Sequence, residues 1–408
     1  MCGNPNLVTI VDLGEQCLTG VFPRSKDQEI TCGPLELVKC VGKDGSPACG
    51  LVQLRHSYSK DEMYSENYGY RSSLNSSMVN HLKDIVDANM KLAKPVKDDL
   101  VIDIGSNDGT SLNMYPEDLQ LAGIDPTIKK FGGYYKPYIK KIPDFFSSNL
   151  IKKQFGNKKA KIVNSIAMFY DLDDPVDFVR QITEVLDDNG IWVSEQSYLP
   201  VMLENNAYDT ICHEHLEYYA LKQLKWAFDK CGLKIIDINF NDTNGGSVRI
   251  TAAKKAAKYP ECTELIEKTL KRETQMGLDT LKPFNTLKNN IEKHKDELLS
   301  LLNGLKKQGK IVIGYGASTK GNVILQYCGI TEKLLPYIAE VNEDKFGKFT
   351  PRTFIPIISE KEAKAMKPDY YLVFPWHFRE NFLKREADFL KSGGKFIFPL
   401  PRIEIISG

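Results

Sequence analysis

Between residues 75 and 255, short apolar runs alternate with stretches whose apolar positions recur at helical spacing. Residues 101–104, 121–124 and 161–164 are too short for helices and read as strands. Residues 77–92 and 176–186 carry the helical spacing, and another strand follows at 190–195. This alternation predicts a parallel sheet with crossover helices. Residues 262–305 are rich in Lys, Glu and Leu with few glycines, which predicts one or two long amphipathic helices linking domains. From Gly309 a second α/β pattern begins, with strands expected at 310–313, 370–374 and 395–398.

Residues 1 to about 60 differ from the rest. They hold five of the nine cysteines (Cys2, Cys17, Cys32, Cys40 and Cys49) among several glycines and prolines. So short a segment buries little apolar core, and a bound metal is a common remedy. The expected division is a small N-terminal zinc-binding-type domain at 1–74, a central Rossmann-like domain at 75–255, a helical linker at 256–305 and a C-terminal Rossmann-like α/β domain at 306–408.

The segment Val101-Ile-Asp-Ile-Gly-Ser-Asn-Asp-Gly-Thr110 carries the most specific signal. A strand runs into a turn containing Gly105 and Gly109, where the backbone can approach a ligand and present its amides. The next strand ends at Asp125, placed to grip the two hydroxyls of a ribose. The spacing Asp103-x-Gly105-x-x-x-Gly109 departs from the dinucleotide fingerprint. Asp108 within the turn would repel a pyrophosphate and suits a cationic nucleoside. S-adenosylmethionine, with a sulfonium, an ammonium and a ribose but no phosphate, meets that description.

Composition adds mainly exclusions. Of the 408 residues 26% are charged and 42% apolar, and the formal net charge is +1, so nothing favours nucleic acid or an anionic membrane as partner. No apolar run reaches the length of a membrane span, and no export signal is evident, which predicts a cytoplasmic protein whose cysteines bind metal or are simply buried, with disulfides not expected. The expected oligomeric state is a monomer.

Four further clusters bear chemistry. In Asp209-Thr-Ile-Cys-His-Glu-His215, His213 and His215 would share a side if the segment were extended. They could hold a metal, make structural hydrogen bonds, or supply a general base. Asn244-Gly-Gly-Ser-Val-Arg249 offers Ser247 and Arg249 to a phosphate or carbonyl oxygen, or is a plain hairpin turn. The turn from Gly314 to Gly321 is not a P-loop, yet amides at a helix start with Lys320 would suit a phosphate. Tyr68 and Tyr70 could act as phenol acids or bases, line a sugar pocket, or pack in a core.

Taken in order, Cys49-Gly-Leu-Val-Gln-Leu54, Tyr68-Gly-Tyr-Arg-Ser72, Asp103-Ile-Gly-Ser-Asn-Asp-Gly109, His213-Glu-His-Leu216, Gly245-Gly-Ser-Val-Arg249 and Gly314-Tyr-Gly-Ala317 with Thr319-Lys-Gly321 resemble the sugar C-methyltransferase family. The resemblance implies an S-adenosylmethionine-dependent enzyme acting on a nucleotide-linked keto-deoxysugar. A base removes the C3 proton, and the enolate carbon takes the methyl group. It further implies His215 as base, Glu214 as its orienting partner, and Tyr68 or Tyr70 as proton relay or enolate donor. Cofactor contacts would come from Asp103, Gly105, Asn107, Asp108, Gly109, Asp125 and Ser165, and substrate contacts from His213, Ser247, Arg249, Tyr315 and Lys320. O- or N-methylation of a sugar nucleotide, or binding without catalysis, are the alternatives.

Two departures stand out. Cys212 occupies the position before His-Glu-His where the family has Tyr. Of the family's zinc ligands, Cys2, Cys40 and Cys49 are matched and the fourth is not. Cys32 or another residue replaces it, it lies upstream, or zinc is not bound.

Overall fold

The computed structural model describes residues 1–43, 47–64 and 68–408. Among these residues there are three sheets. The first is antiparallel and contains β1 (Leu7–Cys17), β2 (Cys32–Cys40) and β3 (Val52–Leu54). It is completed by a two-residue strand from the middle of the chain, Glu217–Tyr218. Cys17 and Cys32 face each other in the β1–β2 register and are disulfide-bonded. This corrects the expectation that disulfides are absent and removes Cys32 as a substitute zinc ligand.

The central sheet has seven strands. In chain order they are β4 (Leu100–Ile104), β5 (Gln120–Ile124), β6 (Lys140–Ile142), β7 (Ala160–Ile166), β8 (Leu186–Ser197), then β10 (Leu233–Asn241) and β11 (Ser247–Lys254), with Glu217–Tyr218 numbered β9. Their spatial order is β10-β11-β8-β7-β4-β5-β6. β4 to β8 run parallel, and β11 inserts antiparallel between β8 and β10. The order reverses at β4 and β7, so a crevice opens beyond their carboxyl ends, where ligands bind in such sheets. The helix leading into this sheet, Ser76–Ala93, begins at an Asn75 cap whose side chain accepts from the Ser77 amide, and buries Met78, Leu82, Ile85 and Val86 at helical spacing. Trp192, Phe169, Phe178 and Phe228 form an aromatic cluster on the other face.

The C-terminal sheet contains β12 (Val312–Tyr315), β13 (Ile338–Glu340), β14 (Ile357–Ser359), β15 (Tyr370–Val373), β16 (Lys395–Phe398) and β17 (Glu404–Ser407). Its order is β14-β13-β12-β15-β16-β17, with only β17 antiparallel. Here the order reverses between β12 and β15, which creates a second crevice. Between the two sheets run helices Thr263–Gln275 and Lys282–Lys307. The longer buries Phe284, Leu287, Ile291, Leu298, Leu302 and Leu305 along one stripe. Glu273 of the shorter helix accepts from the Tyr198 hydroxyl at 2.6 Å and from the Leu221 and Lys222 amides at 2.6 and 3.2 Å. It thereby caps helix Leu221–Lys230 and ties the linker to the central domain. Among the described residues no helix is long and apolar enough to cross a membrane.

Candidate active site

The two crevices face one cavity of about 1020 Å³, and the N-terminal domain closes its side with Gly20, Phe22 and Tyr64. On the central side, β4 passes into a turn with Gly105 at φ +71° and Gly109 at φ +74°. A Cβ on Gly109 would stand 2.8 Å from the Tyr135 ring, so both conformation and space demand glycine there. Asp125 follows β5. One carboxylate oxygen accepts from the Asn107 amide at 2.8 Å, and the other from the Thr127 amide and hydroxyl at 2.7 and 2.6 Å. The strand tip and the turn are thus pinned together, with Asp125 on the cavity wall. Asp103, buried beneath, is pushed up to about 8 by burial and by the charge of Asp125.

Asp103, Gly105, Asn107 and Asp125 line the cavity, whereas Asp108, Gly109 and Ser165 lie behind its wall. The Asp108 carboxylate accepts from the Ser73 amide at 3.0 Å and the Thr110 hydroxyl at 2.6 Å. It stitches the turn to the segment ahead of helix Ser76–Ala93 and does not line the cavity. The Ser165 hydroxyl accepts from the Trp192 indole at 2.9 Å and is part of the sheet's internal bonding.

The His213–His215 segment is a turn, not an extended strand, so the two rings diverge. His213 is turned away from the cavity and packs edge-on against Tyr58, with ring centroids 4.7 Å apart. Burial lowers it to about 4. His215 faces the cavity and packs on Tyr170. Its Nδ1 lies 2.9 Å from the Thr210 carbonyl oxygen, which only accepts. Nδ1 therefore carries the proton, and Nε2 is left as the basic nitrogen. Burial, and secondly the Lys320 ammonium, lower His215 to about 3, so the ring is neutral in the free protein.

Around His215 the wall carries Cys212, Glu214, Tyr170, Asp171, Tyr64, Tyr68 and Tyr70. Glu214 is reached from the N-terminal domain, where the Thr19 hydroxyl donates to it at 3.2 Å. Burial holds both Glu214 and Asp171 above the ordinary carboxyl range, and the charge of Glu214 further raises Asp171. Burial likewise keeps the Tyr68 and Tyr170 phenols protonated, as hydrogen-bond donors.

The C-terminal side is built like the central one. β12 passes into a turn at Gly316, at φ +84°, where a Cβ would meet Pro375 at 2.6 Å. Helix Thr319–Cys328 then begins, capped by the Ser318 hydroxyl, which accepts from the Gly321 amide at 3.0 Å. Glu340 at the tip of β13 is the counterpart of Asp125. It accepts from the Ala317 amide at 2.9 Å and from the Val341 and Asn342 amides at 2.7 and 3.0 Å. Glu340, Asn342, Lys345, Lys320 and His377 all line the cavity. The Lys320 ammonium donates to the Asn244 carbonyl at 2.5 Å, bridging from this domain to the β10–β11 hairpin.

Three of the anticipated substrate contacts lie elsewhere, like His213. Tyr315 points into the C-terminal core, its hydroxyl donating to Glu386 at 2.7 Å. The Ser247 hydroxyl closes its own hairpin by donating to the Thr243 carbonyl at 2.9 Å. Arg249 sits on β11 opposite Glu195 of β8 and is absent from the cavity wall. Asp171, Tyr170, Glu340, Lys345 and His377 are cavity residues missed from the sequence. Glu340 had a signal, because it ends the apolar run 337–339 as Asp125 ends 121–124.

Away from the cavity, Cys2, Cys40 and Cys49 bring their sulfurs within 4.8 Å of one another. Three thiols fit a zinc ion as to donor type and spacing. Hydrogen bonds from neighbouring groups outweigh burial and lower Cys2 to about 7, so one ligand ionises readily. Among the described residues no fourth Cys, His, Asp or Glu joins the group.

A seven-stranded sheet with one antiparallel insertion, a glycine turn beyond its first strand and a carboxylate at the tip of the second define an S-adenosylmethionine-dependent methyltransferase. Comparison with known proteins agrees. Residues 1–64 match a "Putative zinc binding domain", 78–238 a "Methyltransferase domain" and 242–401 a "C-methyltransferase C-terminal domain". The chain therefore carries the three matched parts in the order zinc-binding, methyltransferase and C-methyltransferase C-terminal domain. It is similar to C-methyltransferase NovU of Streptomyces niveus, at 29% identity over 100% of this chain and 96% of NovU. An S-adenosylmethionine-dependent methyltransferase from Clostridium acetobutylicum overlays 43% of this chain and 92% of its own, at 11% identity and a TM-score of 0.34.

Proposed function

We propose that this enzyme methylates a carbon beside the ketone of a nucleotide-linked keto-deoxysugar. The observation that carries the proposal is the pairing of two similar nucleoside cradles, Asp125 with its turn and Glu340 with its turn, across one cavity that also holds His215. One cradle suits the ribose of S-adenosylmethionine and the other the ribose of the sugar nucleotide. Lys320 and Lys345, near the second, suit the diphosphate.

The ketone acidifies the adjacent C–H. Nε2 of His215 takes that proton, while the Thr210 carbonyl holds Nδ1–H and steadies the imidazolium that forms. The Tyr68 hydroxyl, protonated and on the same wall, supplies a hydrogen bond to the enolate oxygen. Glu214 orients this group of side chains, and S-adenosylmethionine supplies the electrophilic methyl. A diphosphate seated on Lys320 would offset the charge that lowers His215, so the base strengthens when substrate is in place. The family's zinc belongs to the distant thiol cluster and takes no part in these steps.

The test is direct. The purified enzyme is incubated with S-adenosylmethionine and a thymidine-diphosphate-linked 4-keto-6-deoxyhexose, and the product is located by mass and NMR. A new methyl singlet on a quaternary sugar carbon is expected. A methyl on oxygen or nitrogen, or no product from any 4-keto-6-deoxysugar nucleotide, would overturn the proposal.

A further inference from the structure

The turn that bears His215 is anchored from the C-terminal domain. Asp209, wholly buried, accepts a hydrogen bond from the Trp376 indole nitrogen at 2.8 Å. Trp376 lies in the short helical turn Trp376–Phe378 that follows β15 and is 8% exposed. Its ring also packs on the β10–β11 hairpin, close enough that a Cβ on Gly245 would stand 3.2 Å from it. The residue after Asp209 is Thr210, whose carbonyl accepts from Nδ1 of His215 at 2.9 Å and from the Tyr218 hydroxyl at 3.3 Å. The residue after Trp376 is His377, on the wall near the second cradle. One hydrogen bond thus connects the nucleotide end of the cavity to the carbonyl that selects the tautomer of the base.

We propose that Trp376 is a positioning residue for His215, acting through Asp209 and the Thr210 carbonyl. The inference rests on His215 being the base. The indole N–H fixes Asp209, Asp209 fixes the peptide that follows, and that peptide keeps the proton on Nδ1 and Nε2 aimed at the substrate. Misplacement of a catalytic group by ~1 Å costs about 100-fold in rate, so loss of this anchor is expected to slow proton removal by about 10- to 100-fold.

The experiment compares Trp376→Phe, which keeps the ring and loses the N–H, with Asp209→Ala, Asp209→Asn and the double variant Trp376→Phe/Asp209→Ala. Solvent-deuterium exchange into the keto-sugar nucleotide, affinity for S-adenosylmethionine and the ¹⁵N-histidine spectrum are read for each. Exchange should fall in both single variants, and the double should be no slower than either, because both cut one link. Asp209→Asn keeps an acceptor for the indole and should retain the rate. S-adenosylmethionine affinity should stay within twofold. The His215 signals should change from a pure Nδ1–H tautomer to a mixture. Wild-type exchange in Trp376→Phe, or multiplying losses in the double variant, would overturn the proposal. If Trp376→Phe does not fold, Asp209→Ala against Asp209→Asn tests the same link. His215→Gln run alongside separates the two failures, since exchange surviving there refutes the base itself.

Discussion

Gly20 gives a way to disturb the base from another domain without touching it. Its backbone is not in the left-handed region, so only space forbids a side chain. A Cβ there would stand 2.4 Å from Oε1 of Glu214, about 1 Å inside ordinary contact distance. In Gly20→Ala the Glu214 carboxyl must therefore move by about that amount. It then breaks its 3.2 Å bond from the Thr19 hydroxyl, worth about 1 kcal/mol. Overpacking adds about 1–3 kcal/mol of destabilisation. For the chemistry, a ~1 Å shift of an orienting group predicts a loss of about 100-fold in the proton-abstraction step. S-adenosylmethionine affinity should be unchanged, because the cradle proposed for it is built on Asn107, Asp125 and Thr127. The assay is solvent-deuterium incorporation into the keto-sugar nucleotide, with calorimetric titration of S-adenosylmethionine and a thermal melt on the same sample. Exchange within threefold of wild type in a variant that has lost stability would refute the assignment of Glu214 as the orienting group.

Other perturbations separate the parts of the molecule. Asp125→Ala removes charge-assisted bonds to a ribose and should weaken S-adenosylmethionine by about 10- to 100-fold, leaving nucleoside diphosphate affinity intact; Glu340→Ala should do the reverse, and calorimetry of both ligands on both variants decides it. His213 is buried and lowered to about 4, whereas an unfolded histidine protonates near 6.5. The unfolded state therefore takes up the extra proton as pH falls below about 6.5, and stability is lost down to about 4. Replacing it by an apolar ring, His213→Phe, should improve stability relative to wild type by about 2 kcal/mol more at pH 5 than at pH 8, as read by urea melts; an equal difference at both pH values would contradict the cause given. Cys49→Ser should lower bound zinc from near one per chain and reduce the melting temperature, with the exchange rate of the folded fraction unchanged. Metal content by mass spectrometry, and an equal melt with or without chelator, would expose an error there.

Much of the central domain was legible because its signals are local. The helix at Ser76–Ala93 and the strands ending at Ile104 and Ile124 follow from apolar spacing and from the glycine turn after them. The two-residue strand Glu217–Tyr218 was not legible, since pairing with Val52 and Gln53 is a tertiary event that no short window encodes. The same limit explains the cavity. His213 and His215 are indistinguishable as sequence, yet a turn sends one to Tyr58 and the other to the cavity. Tyr315 sits in a conspicuous glycine motif, but strand alternation directs its ring into the core, and the adjacent Gly316 meets the cavity. Asp108 was assigned to a cationic ligand by charge alone, whereas the fold commits it to Ser73 and Thr110. Glu340 could have been found by applying the strand-tip rule used for Asp125 a second time. His377 carries no such signal, because only the meeting of three domains brings it to the wall.

Removal of a carbon-bound proton by Nε2 of His215 is the step on which the proposed mechanism rests. It is tested most directly by incubating wild-type enzyme and His215→Gln with a thymidine-diphosphate-linked 4-keto-6-deoxyhexose in heavy water, with S-adenosylhomocysteine filling the other cradle, and following the sugar mass. Incorporation of one deuterium beside the ketone by wild type, and none above background by a folded His215→Gln that still binds S-adenosylhomocysteine, is the predicted result. Equal incorporation by both proteins would contradict it.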